Sequence, residues 1–327
     1  MKYGLGKGWM GILFAVLMII TFGFAYNSVQ SNTICLAWQK AFGIEPATMG
    51  IVLTVLTLLI IFGGIQRVAK FSSTVVPVMA VVYLLIAVGV VIWNITSLPK
   101  VLLAIVENAF GFNQAAGGVL GVTVIQGIKR GLFSNEAGEG SAPNAAAVAT
   151  VSHPVKQGLI QALGVFTDTL VVCSCTAFII LVSGVDVTAS NGIQLTQDAL
   201  THEIGSIGNP FVAVMIWLFA FSSIIGNYYY GETNVRYIRD SKLGVFIYRL
   251  AVAAMVMVGA VVSLDFAWSF ADITMALLTL CNLVAIVLLS RQAVFLLQDY
   301  RQQKKEGKNP VFSKDKMPEI ADKLEAW

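Results

Sequence analysis

Eight apolar stretches, each about 20 residues or more, recur along this chain, and that is the length a helix needs to cross about 30 Å of hydrocarbon. They run Trp9–Gln30, Met49–Gln66, Thr74–Trp93, Gly117–Ala149, Gly158–Gly184, Pro210–Tyr230, Leu243–Leu264 and Ser269–Ser290. In lipid every backbone N–H and C=O must find its partner inside the protein, so stretches of this kind are expected to be helices. Composition enters as a check: 57% of the residues are hydrophobic and only 12% charged, against about 25% charged in a soluble domain. The expected class is an all-α membrane protein of about eight transmembrane helices. Residues 1–292 form the transmembrane domain, and 293–327 form a charged tail.

Between the third and fourth stretches, Lys100–Phe110 reads as a short interfacial helix, and the polar stretch Asp186–Asn209 reads as a loop with room for a surface helix. The first stretch has Lys2 and Lys7 ahead of it, as a signal peptide would. Its helical pattern, however, continues through Asn27, Gln30, Ile34 and Trp38 with no small-residue cleavage site, so it reads as a retained span. Eight spans put both termini on one side. Placing them in the cytoplasm leaves sixteen basic residues inside (Lys2, Lys7, Arg67, Lys70, Lys156, Arg236, Arg239, Lys242 and eight from Arg291 onward) and only Lys40 and Lys100 outside. That bias predicts a multi-pass protein of the cell membrane with both termini cytoplasmic.

Several functions are excluded. The basic residues lie in loops and the tail rather than in a stripe, which speaks against nucleic acid as a partner. Cys35, Cys173, Cys175 and Cys281 make no CxxC spacing and read as free thiols, and two histidines, His153 and His202, cannot build a multi-histidine metal centre. Serine-hydrolase, zincin, phosphate-loop and dinucleotide motifs are all absent, so no enzyme activity and no organic cofactor are expected.

The fourth stretch is the exception among the eight. Gly127-Ile-Lys-Arg-Gly-Leu-Phe-Ser-Asn-Glu-Ala-Gly-Glu-Gly-Ser-Ala-Pro-Asn144 separates an apolar half, Val119–Ile128, from an alanine-rich half, Ala145–Thr150. Each glycine in a helix interior costs about 1 kcal/mol relative to alanine. The chain is therefore expected to unwind here and restart, with Ser141 as a cap and Pro143 in the first turn. Non-helical backbone at membrane depth survives only where it lines a protein or water cavity. Its freed carbonyls suit a cation and its freed amides a carboxylate, and a zwitterionic amino acid travelling with Na⁺ needs both. The plainer reading is an ordinary loop between two short helices.

Gly131-Leu-Phe-Ser-Asn-Glu-Ala-Gly-Glu-Gly-Ser-Ala-Pro-Asn144 followed by His153-Pro-Val-Lys-Gln-Gly158 resembles the alanine or glycine:cation symporter family. So do Val29-Gln-Ser-Asn32, Asp168-Thr-Leu-Val-Val-Cys173 and Phe219-Ala-Phe-Ser-Ser-Ile-Ile-Gly-Asn-Tyr-Tyr-Tyr-Gly-Glu232, spread in order from the first span to the sixth. The resemblance implies a leucine-transporter-like fold of two inverted five-helix repeats. It also implies sodium-coupled symport of a small neutral amino acid, alanine or glycine, by alternating access, with Na⁺ as coupling ion. It makes the present spans helices three to ten and the broken one helix six. Substrate contacts then fall to Gln30, Phe133, Ser134, Asn135, Gly138 and Asn227, and the cation to Ser222 and Ser223 with Asp168. The family's first two helices would precede Met1, so the chain by itself is expected not to transport, as a fragment needing an N-terminal segment or partner chain, or as a remnant.

Asp168 also stands out on physical grounds, because a charge at mid-bilayer costs about 2.5–3.5 kcal/mol. It reads equally as a cation or proton site and as a hydrogen-bonding hub for the broken helix. Ser222 and Ser223 alone would more simply bond the carbonyl four residues back, and Gln30 would be interhelical glue. Lys129 and Arg130 are placed at the external vestibule, with Glu136 and Glu139 as their partners. His153 receives no special role. Two readings of another class, an intramembrane enzyme using Asp168 and Glu136 and a channel or non-transporting subunit, remain as lesser alternatives.

Overall fold

A computed structural model describes residues 1–63, 65–109, 117–318 and 321–323, with side chains described except within 65–76, 117–124 and 323. The sequence readings that rest on Arg67, Lys70, Thr74, Phe110 and the side chains of 119–124 lie outside the described residues.

The described chain is helical, with eleven main helices and no strand. A single turn at Lys2–Leu5 precedes α1, Gly8–Phe42. Next come α2 (Pro46–Phe62), α3 (Ile65–Trp93), α4 (Leu98–Ala109), α5 (Gly117–Asn135) and α6 (Ala142–Ala146). The series continues with α7 (Pro154–Ser183), α8 (Ile193–Ile204), α9 (Gly208–Ile238), α10 (Lys242–Val261) and α11 (Leu264–Lys305). Five apolar segments are long enough to cross a membrane, and a sixth qualifies if α3 from Pro77 onward and α4 are counted together across their 103° bend. α2 is shorter at 17 residues, and the fourth stretch is divided into α5 and α6. These two account for the difference from the eight expected spans.

Three apolar cores hold the bundle. Ile34, Leu53, Phe221, Ile224 and Val256 join α1, α2, α9 and α10. Met18, Phe22, Tyr26, Ala271 and Leu278 join α1 to α11 and carry Leu132 and Phe133 of α5 against them. Val90, Ile179, Leu200 and Val212 join α3, α7, α8 and α9. Outside these cores, Leu59, Leu85, Leu163 and Val287 are each more than 60% exposed. An apolar surface this continuous is at home only in lipid.

α1 and α10 come closest at Gly259, whose added Cβ would lie 2.5 Å from the Ser28 Cα and carbonyl oxygen. Small residues that let backbones meet are a membrane-helix device. The gain here is a polar seam: Ser31 Oγ donates to the Val256 carbonyl at 2.6 Å, and Asn32 Nδ2 to the Gly259 and Val262 carbonyls at 3.0 and 2.8 Å. The Val29–Asn32 block therefore splits, with Ser31 and Asn32 bonding α10 and only Gln30 turning toward a cavity.

The charged tail expected from residue 293 begins inside α11. The helix continues to Lys305, and the chain then folds back so that the Phe312 N–H donates to the Ser152 carbonyl at 2.9 Å and Ser152 Oγ to the Pro310 carbonyl at 2.9 Å. His153, which sequence reading left without a role, is fully buried there. Its Nδ1 accepts from the Val155 N–H and caps α7, while its Nε2 faces Asp299 Oδ2 at 3.1 Å.

Candidate functional site

The helical run ends at Asn135 because the next residues cannot continue it. Glu136 takes a left-handed φ of 54°, and Gly138 and Gly140 have φ of 88° and 91°. A β-carbon at Gly140 would also strike Phe14 Cζ at 2.6 Å and Asn282 Cγ at 2.9 Å. Side chains supply the bonds that the lost helix would have made. Asn135 Oδ1 accepts the Ala137 N–H at 2.9 Å, Asn282 Nδ2 donates to the Gly138 carbonyl at 2.8 Å, and Asn144 Nδ2 to the Gly140 carbonyl at 3.0 Å. Pro143 sits in the first turn of α6 as expected, but Ser141 makes no side-chain cap. Its hydroxyl is buried without a partner.

Two helices beside the break leave α-geometry as well. α1 is a π-helix over Ile19–Tyr26, and α7 is one over Asp168–Cys173. Wider turns of this kind re-aim side chains and gather at functional sites. In α1 the wide turn ends at Tyr26, which is buried against Phe133 with ring centroids 4.6 Å apart. In α7 it begins at Asp168, whose Oδ2 accepts Ser134 Oγ at 2.7 Å, and it presents Thr169, which accepts Asn135 Nδ2 at 2.9 Å.

A cavity of about 440 Å³ lies where the break meets α1 and α9. Tyr26 and Gln30 line it from α1, Phe133, Ser134 and Glu136 from the break, and Ser222, Ser223, Asn227 and Tyr230 from α9. Six of the residues singled out in the sequence (Gln30, Phe133, Ser134, Ser222, Ser223 and Asn227) therefore converge on one space. Ser222 and Ser223 both donate to the Phe219 carbonyl, at 2.7 and 3.1 Å, which leaves their oxygen lone pairs for a cation. Asn227 is buried with its Nδ2 unpartnered, a spare donor on the cavity wall.

Three of the singled-out residues lie elsewhere. Asn135 and Gly138 line a second cavity of about 760 Å³, together with Met1–Gly4, Asn144, Tyr237 and Leu289, on the side of the bundle that carries the N-terminus. The side chain of Asn135 is spent on Thr169 and Ala137, because the break needs it. Asp168 touches the first cavity only through Ser134. Among the described residues no group of three or more His, Cys, Asp or Glu side chains could hold a metal, so a cation here would rest on hydroxyl and carbonyl oxygens.

Aromatic rings back the Phe133 wall of the first cavity. Phe133 packs 4.6 Å from Trp268 of α11, and the Arg130 guanidinium lies 4.0 Å over that indole. Arg130 and Lys129 pair with Asp272 of α11, Lys129 at 3.2 Å, and not with Glu136 and Glu139 as the sequence spacing suggested. A helix places residues 129 and 130 more than a turn before the break, so their heads reach across to α11 while both glutamates point elsewhere. Tyr26, Trp268 and Asp272 were not foreseen, and Tyr230, which the sequence suggests as part of an interfacial aromatic belt, lines the cavity instead. The only available signal was aromatic or acidic residues inside apolar runs, which most membrane helices also contain.

Residues 1–314 match the sodium:alanine symporter family. The chain belongs to that family. Relatives include the probable sodium/glutamine symporter GlnT of Bacillus subtilis, 54% identical over 316 residues that cover 96% of this chain and 66% of the relative. The amino-acid carrier protein AlsT of the same organism is 51% identical over 324 residues, covering 99% of this chain and 69% of the relative. The sodium/alanine symporter AgcS of Methanococcus maripaludis is 35% identical over 316 residues, covering 94% and 68%. The chain thus spans about two thirds of the length of these relatives, and the matched residues 1–314 include the segment of the break and the helices that wall the cavity.

Proposed function

We propose that this protein works in the cell membrane, with both termini cytoplasmic, as a sodium-coupled symporter of a small neutral amino acid. The observation that carries the reading is the convergence of Gln30, Phe133, Ser134, Ser222, Ser223 and Asn227 on one cavity beside a broken helix. At about 440 Å³ the cavity is at the small end of ligand sites. Apolar walls from Tyr26, Phe133 and Tyr230 suit a short side chain, while the free Asn227 Nδ2 and the Ser134 hydroxyl suit the charged ends of an amino acid. Ser222 and Ser223 supply neutral oxygens for Na⁺, and Asp168 adds negative charge behind Ser134. Alanine and glycine are the cargo this reading takes, by the resemblance of the cavity residues to the family's. The relatives' names, which include both glutamine and alanine, support amino-acid cargo without deciding its size.

Alternating access follows from the two ends of the site. Toward the outer face, Phe133 of the cavity wall packs on Trp268, with the Arg130–Asp272 pair beyond it as the candidate outer closure. Toward the termini, the larger cavity reaches Glu136, a residue that the two cavities share. On this reading cargo leaves toward the termini past Asn144 and Tyr237.

The test is uptake of radiolabelled alanine, glycine and glutamine into proteoliposomes holding the full chain, with an inward Na⁺ gradient and then with K⁺ in its place. Concentrative uptake that requires Na⁺ is expected on this reading, in place of the sequence-based expectation that the chain by itself does not transport. Uptake that only equilibrates would favour a channel, and no uptake in either buffer would remove the symport reading for this chain.

A further inference from the structure

Glu139 is fully buried within the break, yet no positive group among the described residues answers it. Its Oε1 accepts the Tyr26 hydroxyl at 2.8 Å, while its Oε2 has no hydrogen-bond partner. Among the described residues no Lys, Arg or His nitrogen lies within 4.0 Å of Glu139, and Lys129 and Arg130 are committed to Asp272. Two residues on, Ser141 is 1% exposed and its hydroxyl lies beside the Glu136 carboxyl. The titratable groups around Glu139 are Tyr26 of α1 and Glu136 of the same segment. More remote are Asp272 of α11, which acts on Tyr26, and Tyr230 of α9 and Asp168 of α7, which act on Glu136. Every one of them is acidic or neutral.

A lone carboxylate in such a place costs several kcal/mol unless a positive charge matches it. One hydroxyl donor does not supply that charge. We propose that Glu139 is a monovalent-cation site, separate from the Ser222–Ser223 hydroxyls, at which Oε2 takes up either a sodium ion or a proton. The position gives the site a role in coupling. Glu139 joins Tyr26 of α1 to the segment whose Gly138 carbonyl is held by Asn282 of α11, so loading or unloading the charge acts on the contacts that fix the break.

The site does not depend on the transport reading, because both of its readouts use purified full chain in lipid nanodiscs and need no uptake. The first is equilibrium binding of ²²Na⁺ to the unaltered protein and to Glu139→Gln. The second is the infrared carbonyl stretch of protonated carboxyl groups in sodium-free buffer, compared between the same two proteins. Loss in Glu139→Gln of a saturable sodium component identifies sodium, and loss of a protonated-carboxyl band identifies the proton. Glu139→Gln retains an oxygen acceptor for Tyr26, and removing an unmatched buried charge should leave its melting temperature equal or higher. Tyr26→Phe, which keeps the carboxyl, should retain the cation signal, and its survival distinguishes a site from a disrupted fold. A folded Glu139→Gln with both signals unchanged would overturn the proposal.

Discussion

Replacing Arg130 with methionine should open the outer face of the cavity. Arg130 makes two contacts across to α11, the pair with Asp272 and the stack 4.0 Å above Trp268. The ion pair is worth little by itself. Arg130 is 37% exposed, and Lys129 stays on Asp272 at 3.2 Å when Arg130 is gone, so screening and substitution leave about 1 kcal/mol or less. The stack contributes about 0.5–2 kcal/mol. Methionine retains some apolar contact with the indole but neither the charge nor the planar fork. The combined bias is about 1–3 kcal/mol, which changes the ratio of open to closed outer faces by about 5- to 150-fold. The assay uses Ser223→Cys as a reporter on the cavity wall, with Cys35, Cys173, Cys175 and Cys281 replaced by alanine. Its rate of modification by a membrane-impermeant thiol reagent is read from the face opposite the termini. Arg130→Met should raise that rate within the stated range, and Arg130→Lys, which keeps the charge but loses the planar stack, should fall between. An unchanged rate in a folded Arg130→Met protein would refute the reasoning, since the outer closure would then lie elsewhere.

Gly259→Ala forces a methyl to within 2.5 Å of the Ser28 backbone and should cost about 1–3 kcal/mol, seen as a lower melting temperature in detergent. Ser134→Ala removes the donor to Asp168 and should weaken amino-acid binding about tenfold, as expected for loss of a hydrogen bond to a charged group worth about 1.5 kcal/mol, read by isothermal titration with alanine in saturating Na⁺. His153→Ala deletes the α7 cap and the Asp299 contact and should cost about 1–2 kcal/mol of thermal stability, with His153→Asn recovering the cap portion. Deletion from Glu306 onward removes the Phe312–Ser152 and Pro310–Ser152 bonds and should speed protease cleavage in the 147–153 linker. Cleavage at the original rate would show that the returning chain does not protect that linker.

Much of this protein can be read from its residues in order. Span-length apolar runs dictate helices because lipid offers the backbone no other partner. The Gly-rich stretch from Gly127 to Asn144 dictates a break because several residues there tolerate or require left-handed backbone, and φ at Gly138 and Gly140 bears this out. Six cavity residues were also legible, since each lies in a block that resembles the family. What the order of residues does not contain is which side chain meets which across helices. Asn135 lies inside the break motif, yet its amide also bonds Thr169 and the Ala137 N–H, contacts that hold the break. Lys129 and Arg130 had acidic neighbours a few residues away but chose Asp272, 142 positions on from Arg130, because α11 lies against that face of the bundle. The π-turns in α1 and α7, the burial of His153 under the returning chain and the isolation of Glu139 are likewise products of packing. Local chemistry decides where a membrane helix begins, ends or breaks, since those costs fall on single residues. Partnership between residues more than a hundred positions apart is decided only when the helices are brought together.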